Sequence, residues 1–182
     1  MADVKRDNPN AFKTLADALG ALDGVQARVG WFEDAAYPDG TPVAYVAAIQ
    51  ELGSPKNSIP PRSFMRSTAM EKDGEWRDVA ATVSKRVLEG KMTPHDAMDV
   101  LALKAEGDIA HKISTITQPP LSKITLGARK YRAMGKKVTG ATIGEIAGKL
   151  ADGTLDVSGV SDKPLVDSAI MVNSLTHVTE GG

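Results

Sequence analysis

Three histidines, His95, His111 and His177, a run of carboxylates and a basic cluster around Tyr131 are the groups whose types could support chemistry. His95 and His111 share one stretch of helical periodicity but stand sixteen residues apart, more than four turns, so one helix cannot bring them to a shared metal ion. No His-Glu-x-x-His pattern and no histidine pair at helical spacing occurs. His95 reads more simply as a solvent-exposed residue of a first helical turn. Glu71, Asp73, Glu75 and Asp78 crowd together at what reads as the start of a helix, where carboxylates favour the positive end of the dipole. Gly135-Lys136-Lys137 has a lysine after glycine but lacks the upstream glycine and the following Ser/Thr of a phosphate loop. Nothing resembles the Gly-x-Ser-x-Gly elbow of serine hydrolases. The chain has no cysteine, which removes disulfides, thiol nucleophiles and thiolate metal sites together. The pattern nominates no catalytic, cofactor-binding or metal-binding residue, and the expectation is a protein that is not an enzyme and carries no cofactor.

The basic cluster carries a different chemistry. Lys123, Arg129, Lys130, Arg132, Lys136 and Lys137 surround Tyr131, so phosphate contact with stacking of a base on the ring is a physical possibility. The formal net charge of −1 hides this patterning. Residues 121–150 hold seven basic and one acidic residue, a net of +6, while residues 1–60 sum to −3, 61–120 to zero and 151–182 to −4. A basic segment beside acidic ends can pair head to tail with copies of the chain, or face nucleic acid or an acidic partner. The glycine-flanked setting offers no clear recognition helix. A small nucleic-acid-binding protein using segment 123–137 is therefore the alternative function.

These groups must be positioned by elements that the periodicity predicts. Phe12, Leu15, Ala16, Leu19 and Leu22 form one stripe, predicting a helix over 10–22. Residues 25–32 alternate apolar and polar as a half-buried strand. After a turn-rich stretch to Pro42, Val43, Val46, Ala47, Ile49 and Leu52 predict a helix over 43–52 with Gly53 as an αL-compatible C-cap. Three prolines between Ser54 and Arg62 forbid a helix there and predict an extended loop. A helix from Phe64 buries Trp76, Val79, Ala80, Val83, Val87 and Leu88, and ends at Glu89-Gly90. Thr93 and Pro94 open the next, whose Met98, Leu101, Ala102, Ala105, Ile109, Ile113 and Ile116 hold one face for about five turns. Short helices are expected over 121–132, capped by Ser122, and over 142–150. An exposed excursion follows over 151–163, then a short helix over 168–175 capped by Asp167, and a final strand over 176–179.

With 42% apolar residues in 182 positions, the chain can bury a core, built mainly from Ala, Val, Leu and Ile because aromatics make up only 4%. The N-terminus lacks the apolar core of a signal peptide, and no apolar run approaches the roughly 18 residues that span a bilayer. The expectation is a soluble protein without membrane contact, made in the cytoplasm and used there or carried in a particle assembled there.

Two segments are more specific. One is Tyr45-Val46-Ala47-Ala48-Ile49-Gln50-Glu51-Leu52-Gly53-Ser54 followed by Ile59-Pro60-Pro61-Arg62-Ser63-Phe64-Met65. The other is Pro119-Pro120-Leu121-Ser122 with Lys163-Pro164-Leu165-Val166-Asp167-Ser168 and Asn173-Ser174-Leu175. In this order they resemble the virion-morphogenesis and tail-completion proteins of tailed bacteriophages, over roughly Val25 to Val178. Ser63 departs from a usual proline, Ser168-Ala169 departs from a usual Thr-Gly, and the stretch between Leu126 and Lys163 is long for the family.

The resemblance implies one α+β domain over 1–182, with a small β-sheet packed against long central helices and a looped insertion at about 127–163. It implies a homo-oligomeric ring in the virion, at the head–tail neck or the head-proximal tail end, completing the tail and joining it to the head. Its partners would be connector or adaptor, tail-terminator or tail-tube proteins, with non-specific contact to packaged DNA a further option. The family has no catalytic residues to carry over. Glu51, Ile59, Pro60, Pro61, Arg62, Phe64 and Met65 are the expected subunit-interface residues, because prolines stiffen the loop and an arginine beside apolar anchors suits a contact. The competing reading of the same residues is that Phe64 caps the core and Arg62 pairs within the subunit.

Overall fold

The computed structural model describes Lys13, Ala16, Asp17, Gly20, Ala21, residues 23–165 and residues 169–181. The helix expected over 10–22, as an element, and the expected cap Asp167 lie outside the described residues. The chain is a mixed α and β protein. In order, its elements are strand β1 (Gln26–Gly30), helix α1 (Val43–Leu52), a 3-10 turn (Pro55–Asn57), α2 (Phe64–Leu88), α3 (Pro94–Thr115), α4 (Lys123–Ala133), α5 (Gly140–Ala151), α6 (Ile170–Asn173) and strand β2 (Thr176–Glu180). Among the described residues no helix is long and apolar enough to cross a membrane. The chain divides into two compact units: residues 1–32, 65–109 and 175–182 form the first, and residues 33–64 and 110–174 the second.

The first unit holds the sheet and most of the two long helices. β1 and β2 pair antiparallel, with Gln26 opposite Glu180 and Gly30 opposite Thr176, and an Arg28–Glu180 ion pair links the two strands. The expected alternation holds in β1, where Ala27 and Val29 are the half-buried positions between exposed Gln26 and Arg28. The apolar stripe of α2 closes on α3 through Val83, Val87 and Ala97, with Val79 and Met92 beside them. Leu88, expected in that stripe, is 41% exposed because it lies at the last position of the helix. Thr93 caps α3 by accepting from the Asp96 amide at 3.1 Å, and Asp96 sits in the first turn as the dipole favours.

The carboxylates of α2 have a different role from the expected one. The helix starts at Phe64, so its first turn contains no acidic residue. Glu71 to Asp78 lie further along it, and Asp73 and Glu75 pair with cations rather than with the dipole. Glu75 accepts from Lys72 at 2.5 Å and Lys104 at 3.2 Å, and Asp73 pairs with Arg77 at 2.9 Å. Lys104 also reaches Asp108 at 2.6 Å, and the Trp76 indole N–H donates to the same carboxylate at 2.7 Å. Burial alone would raise the Asp108 pKa, but the hydrogen bonds from Lys104 and Trp76 outweigh it and hold the carboxyl below its ordinary value. Trp76 thus joins the two helices by a polar bond.

The second unit is helical. Ser122 caps α4 as expected, accepting from the Thr125 amide at 3.1 Å. Thr139 and Thr142 form a capping box at the start of α5. The two helices enclose Ala128, Tyr131 and Ile146, with Val138, Ile143, Leu150 and Leu155 around them. Gly127 makes this closeness possible: a Cβ there would stand 2.5 Å from Ile146 Cγ2, and Ile146 is fully buried. The expected insertion at about 127–163 therefore contributes a packed helical hairpin, and its 134–139 and 152–163 parts are without helix or strand. α6 begins at Ile170 and is shorter than expected, with Ala169 at its N-cap and no side-chain cap bond.

Candidate subunit interface

Helix α1 has one charged side chain, Glu51, and that residue faces inward. Val43, Ala47 and Glu51 recur at every fourth position and form the buried face. Tyr45, Ala48 and Leu52 form the opposite face and are exposed, Tyr45 by 61% and Leu52 by 63%. A helix that is apolar all round is ordinarily enclosed on all sides. Here the solvent-facing stripe is uncharged and the carboxylate is turned into the unit, where Glu51 Oε1 accepts from the Ser63 hydroxyl at 2.8 Å.

The loop that follows fixes the end of this helix. The Gly53 amide caps it by donating to Ile49 O at 2.8 Å. Gly53 has φ 77° and ψ 171°, so it is not the αL cap expected from the sequence. It adopts the extended positive-φ conformation that is essentially restricted to glycine. A Cβ there would lie 2.8 Å from Pro61 N and 3.0 Å from Ile59 O, so the loop backbone passes directly against the helix end. Ser54 and Ile59 exchange backbone hydrogen bonds of 2.8 and 3.0 Å around the 3-10 turn. That turn corrects the expectation of a wholly extended loop: Pro55 sits at its first position, where no amide donor is needed.

Arg62 and Phe64 belong to the interior of the unit. Phe64 is fully buried and Arg62 is 4% exposed. Arg62 donates from its amide to Gln50 O at 2.7 Å, and its guanidinium reaches Gln50 Oε1 at 3.0 Å, Pro119 O at 2.9 Å and Pro120 O at 3.1 Å. Burial, and then the positive charge of Arg129, bring its pKa below the ordinary arginine value. For these two side chains the geometry supports the within-chain reading, because their polar and apolar surfaces are already matched inside the unit. Glu51 is likewise 8% exposed. Of the expected interface residues, Pro60 and Pro61 are exposed, and Ile59 and Met65 are partly so. Ile59 and Pro61 lie against the C-terminal end of α1 at Gly53, next to Leu52 of the exposed stripe.

The basic segment separates in the same way. Arg129 is 8% exposed and donates to Ser161 O at 2.8 Å and Lys163 O at 2.9 Å, clamping the 152–165 strap onto α4. Lys130 bonds Asp156 O on that strap. Tyr131 is 2% exposed, and its hydroxyl donates to Glu145 Oε1 at 3.0 Å. Lys136 stands 4.7 Å and Lys149 5.9 Å from the ring centre. The ring expected to stack on a base is thus a core residue with cations beside it, and Arg129 is held by carbonyls. Lys123, Arg132, Lys136 and Lys137 are the exposed members of the cluster.

A groove of about 580 Å³ opens between α1 and α4. Val46 and Gln50 of α1 and Thr125 and Arg132 of α4 line it, with Tyr37 and Ile170. It lies beside the exposed stripe, since Val46 and Gln50 follow Tyr45 and Ile49 around α1.

In the first unit His177 lies between two carboxylates, a group that was invisible in the sequence. Its Nδ1 is 2.6 Å from Glu106 Oε2 and its Nε2 is 3.2 Å from Asp99 Oδ1. The hydrogen bond with Glu106 raises the His177 pKa above its ordinary value; burial opposes this, and the charges of Glu106 and Asp99 reinforce it. Thr179 donates to Asp99 Oδ1 at 3.2 Å, so two neighbouring inward positions of β2 bind one face of α3. His95 and His111 are exposed. Among the described residues no three His, Asp or Glu side chains are placed to hold a metal ion. Comparison of the chain with protein-family models, with curated proteins and with solved structures gives no match.

Proposed function

We propose that the chain is a structural subunit of a tailed-phage virion. In this reading it assembles as a ring at the head–tail neck or the head-proximal tail end, completes the tail and joins it to the head. The observation that carries the reading is the outward face of α1. Tyr45, Ala48 and Leu52 present an uncharged stripe to solvent, continuous with the proline-stiffened loop at Pro60 and Pro61. An exposed apolar surface on a helix whose only charge points inward is suited to burial against another protein. The loop is already ordered by Gly53 and Arg62, so little further entropy is lost when a partner covers it. The ordered segments that resemble the tail-completion family supply the identity of the assembly.

The nucleic-acid reading is weakened by the burial of Arg129 and Tyr131. The test is genetic. Deleting the chain from the phage that encodes it should give filled heads and tails that fail to join, visible by negative-stain microscopy. A normal yield of joined, infectious particles would remove the proposal.

A further inference from the structure

Resting on that reading, we infer that the outward stripe of α1 and the groove beside it receive helix α3 from a second copy of this chain. Three observations converge on that occupant. The first is a matching surface: α3 presents its own exposed stripe, Asp96, Val100, Leu103 and Gly107, in which Val100 is 40% and Leu103 57% exposed. The spacing of four, three and four places these residues on one ridge. Gly107 has no side chain and open space where one would stand, so another backbone can approach closely there.

The second is charge. α4 contributes Arg129 and Arg132 to the groove lining and contains no acidic residue. On α3 the carboxylate of the exposed ridge is Asp96, while Asp99, Glu106 and Asp108 face His177, Lys104 and Trp76 within the chain. Counted over the sequence, the first unit carries eleven basic and fourteen acidic residues, a net of −3. The second carries eleven and nine, a net of +2. A contact from the second unit of one copy to the first unit of the next is therefore electrostatically matched, whereas a contact between two second units places like charges together.

The third is the chemistry of the stripe itself. Tyr45, Ala48 and Leu52 offer no charge or strong acceptor beyond the tyrosine hydroxyl, so a nucleic acid or an acidic segment alone would leave this surface uncompensated. A helix ridge with an aliphatic centre and a carboxylate at one end fits both the stripe and the cationic wall. Such a contact uses different surfaces on the two copies. It is heterologous, so it propagates to a closed ring or an open helix.

The absence of cysteine makes the test clean. Leu103→Cys protein is mixed in turn with Tyr45→Cys, Ala48→Cys and Leu52→Cys protein, oxidised, and run on a non-reducing gel. A disulfide requires Cα atoms within about 7 Å, so only facing positions react. The expected result is a bond between unlike copies in at least one mixture, with much weaker bonding in each single-variant control. Bonding mainly between like copies, or none in any mixture, overturns the inference. Leu103→Asp supplies an independent arm, since an exposed position tolerates the change. It should leave the helical circular dichroism intact and weaken self-association by at least tenfold in sedimentation equilibrium, and unchanged association again overturns the pairing. If particles require the chain yet no mixture cross-links, the pairing alone fails. If the mixtures cross-link but particles join without the chain, the virion reading alone fails.

Discussion

Replacing Gly53 by alanine probes the turn on which the α1 face depends, and the cost can be worked from geometry. At φ 77° and ψ 171° the residue occupies a region open essentially to glycine alone, and forcing another residue there costs about 1–3 kcal/mol. The added Cβ would also meet Pro61 N at 2.8 Å and Ile59 O at 3.0 Å. Both are backbone atoms of a segment pinned by the Ser54–Ile59 bridge and the Arg62 amide, so the loop cannot yield cheaply. Overpacking of this kind costs roughly 1–3 kcal/mol. The lower entropy of an unfolded alanine returns only about 0.4–1 kcal/mol. A net loss of about 3 kcal/mol follows, a large share of the roughly 5–15 kcal/mol typical of a folded protein. Urea unfolding can assign the loss to one unit. All three tyrosines, Tyr37, Tyr45 and Tyr131, lie in the second unit, and both tryptophans, Trp31 and Trp76, lie in the first. The near-ultraviolet tyrosine signal should move to lower urea with an unchanged slope. Gly53→Asn sharpens the test, because asparagine tolerates an αL cap but not this extended conformation. A loss below about 1 kcal/mol for alanine, or an asparagine variant as stable as the parent, would refute the reasoning.

Two further outcomes are expected. Arg62→Met keeps most of the side-chain length but removes the donors to Gln50, Pro119 and Pro120. Lost bonds to a charged donor, with carbonyls left unpaired, should cost the second unit about 2–4 kcal/mol in urea unfolding, and Arg62→Lys should not restore it because one ammonium cannot span all three acceptors. A lysine variant of full stability would show that charge rather than the fork matters. For His177, a raised folded pKa means its contribution is complete below the ordinary value of 6.5 and is lost as pH rises through the folded value above it. Tryptophan-monitored stability of the first unit should fall across that window, and His177→Gln should abolish the fall. An imidazole that titrates at or below 6.5 by NMR would sink this account.

The sequence made most elements legible because their signals were local. The stripe of α3, the caps Thr93 and Ser122, and the alternation in β1 all depend on residues within one or two turns. What it hid depended on distant partners. His177 meets Glu106 across 71 residues, and Arg62 meets Pro119 and Pro120 across 57 and 58. Neither spacing leaves a periodic trace. The conspicuous side chains of the loop motif, Arg62 and Phe64, serve the interior. The more exposed apolar surface lies on α1, where Leu52, expected in one stripe with Val43 and Ala47, stands 63% exposed beside Tyr45 because those two residues and Glu51 take the inward face. Tyr131 misled for a related reason: an aromatic among lysines has the composition of a nucleic-acid site, and its burial depends on Ile146 and Leu155.

The orientation of α1 is the least expected consequence of the loop. Simple partition would turn this helix so that Tyr45 and Leu52 face inward and Glu51 faces water, since fully burying a large apolar side chain is worth about 1.5–3 kcal/mol. The observed facing is the reverse for these three residues: Val43 at the start of the helix is fully buried with its amide bonded to Ala35 O, and polar contacts fix the other end. The Arg62 amide and guanidinium hold Gln50, the Ser63 hydroxyl holds Glu51, and the Gly53 turn brings Pro61 against the helix terminus. Rotating the helix would break all of these together. The polar grip of the loop, together with the burial of Val43 and Ala47, therefore keeps an apolar stripe in water. A fold that holds such a stripe outward is stabilised further by whatever covers it. In the proposed ring, that would link the loop's glycine and arginine to assembly without either needing to touch the partner.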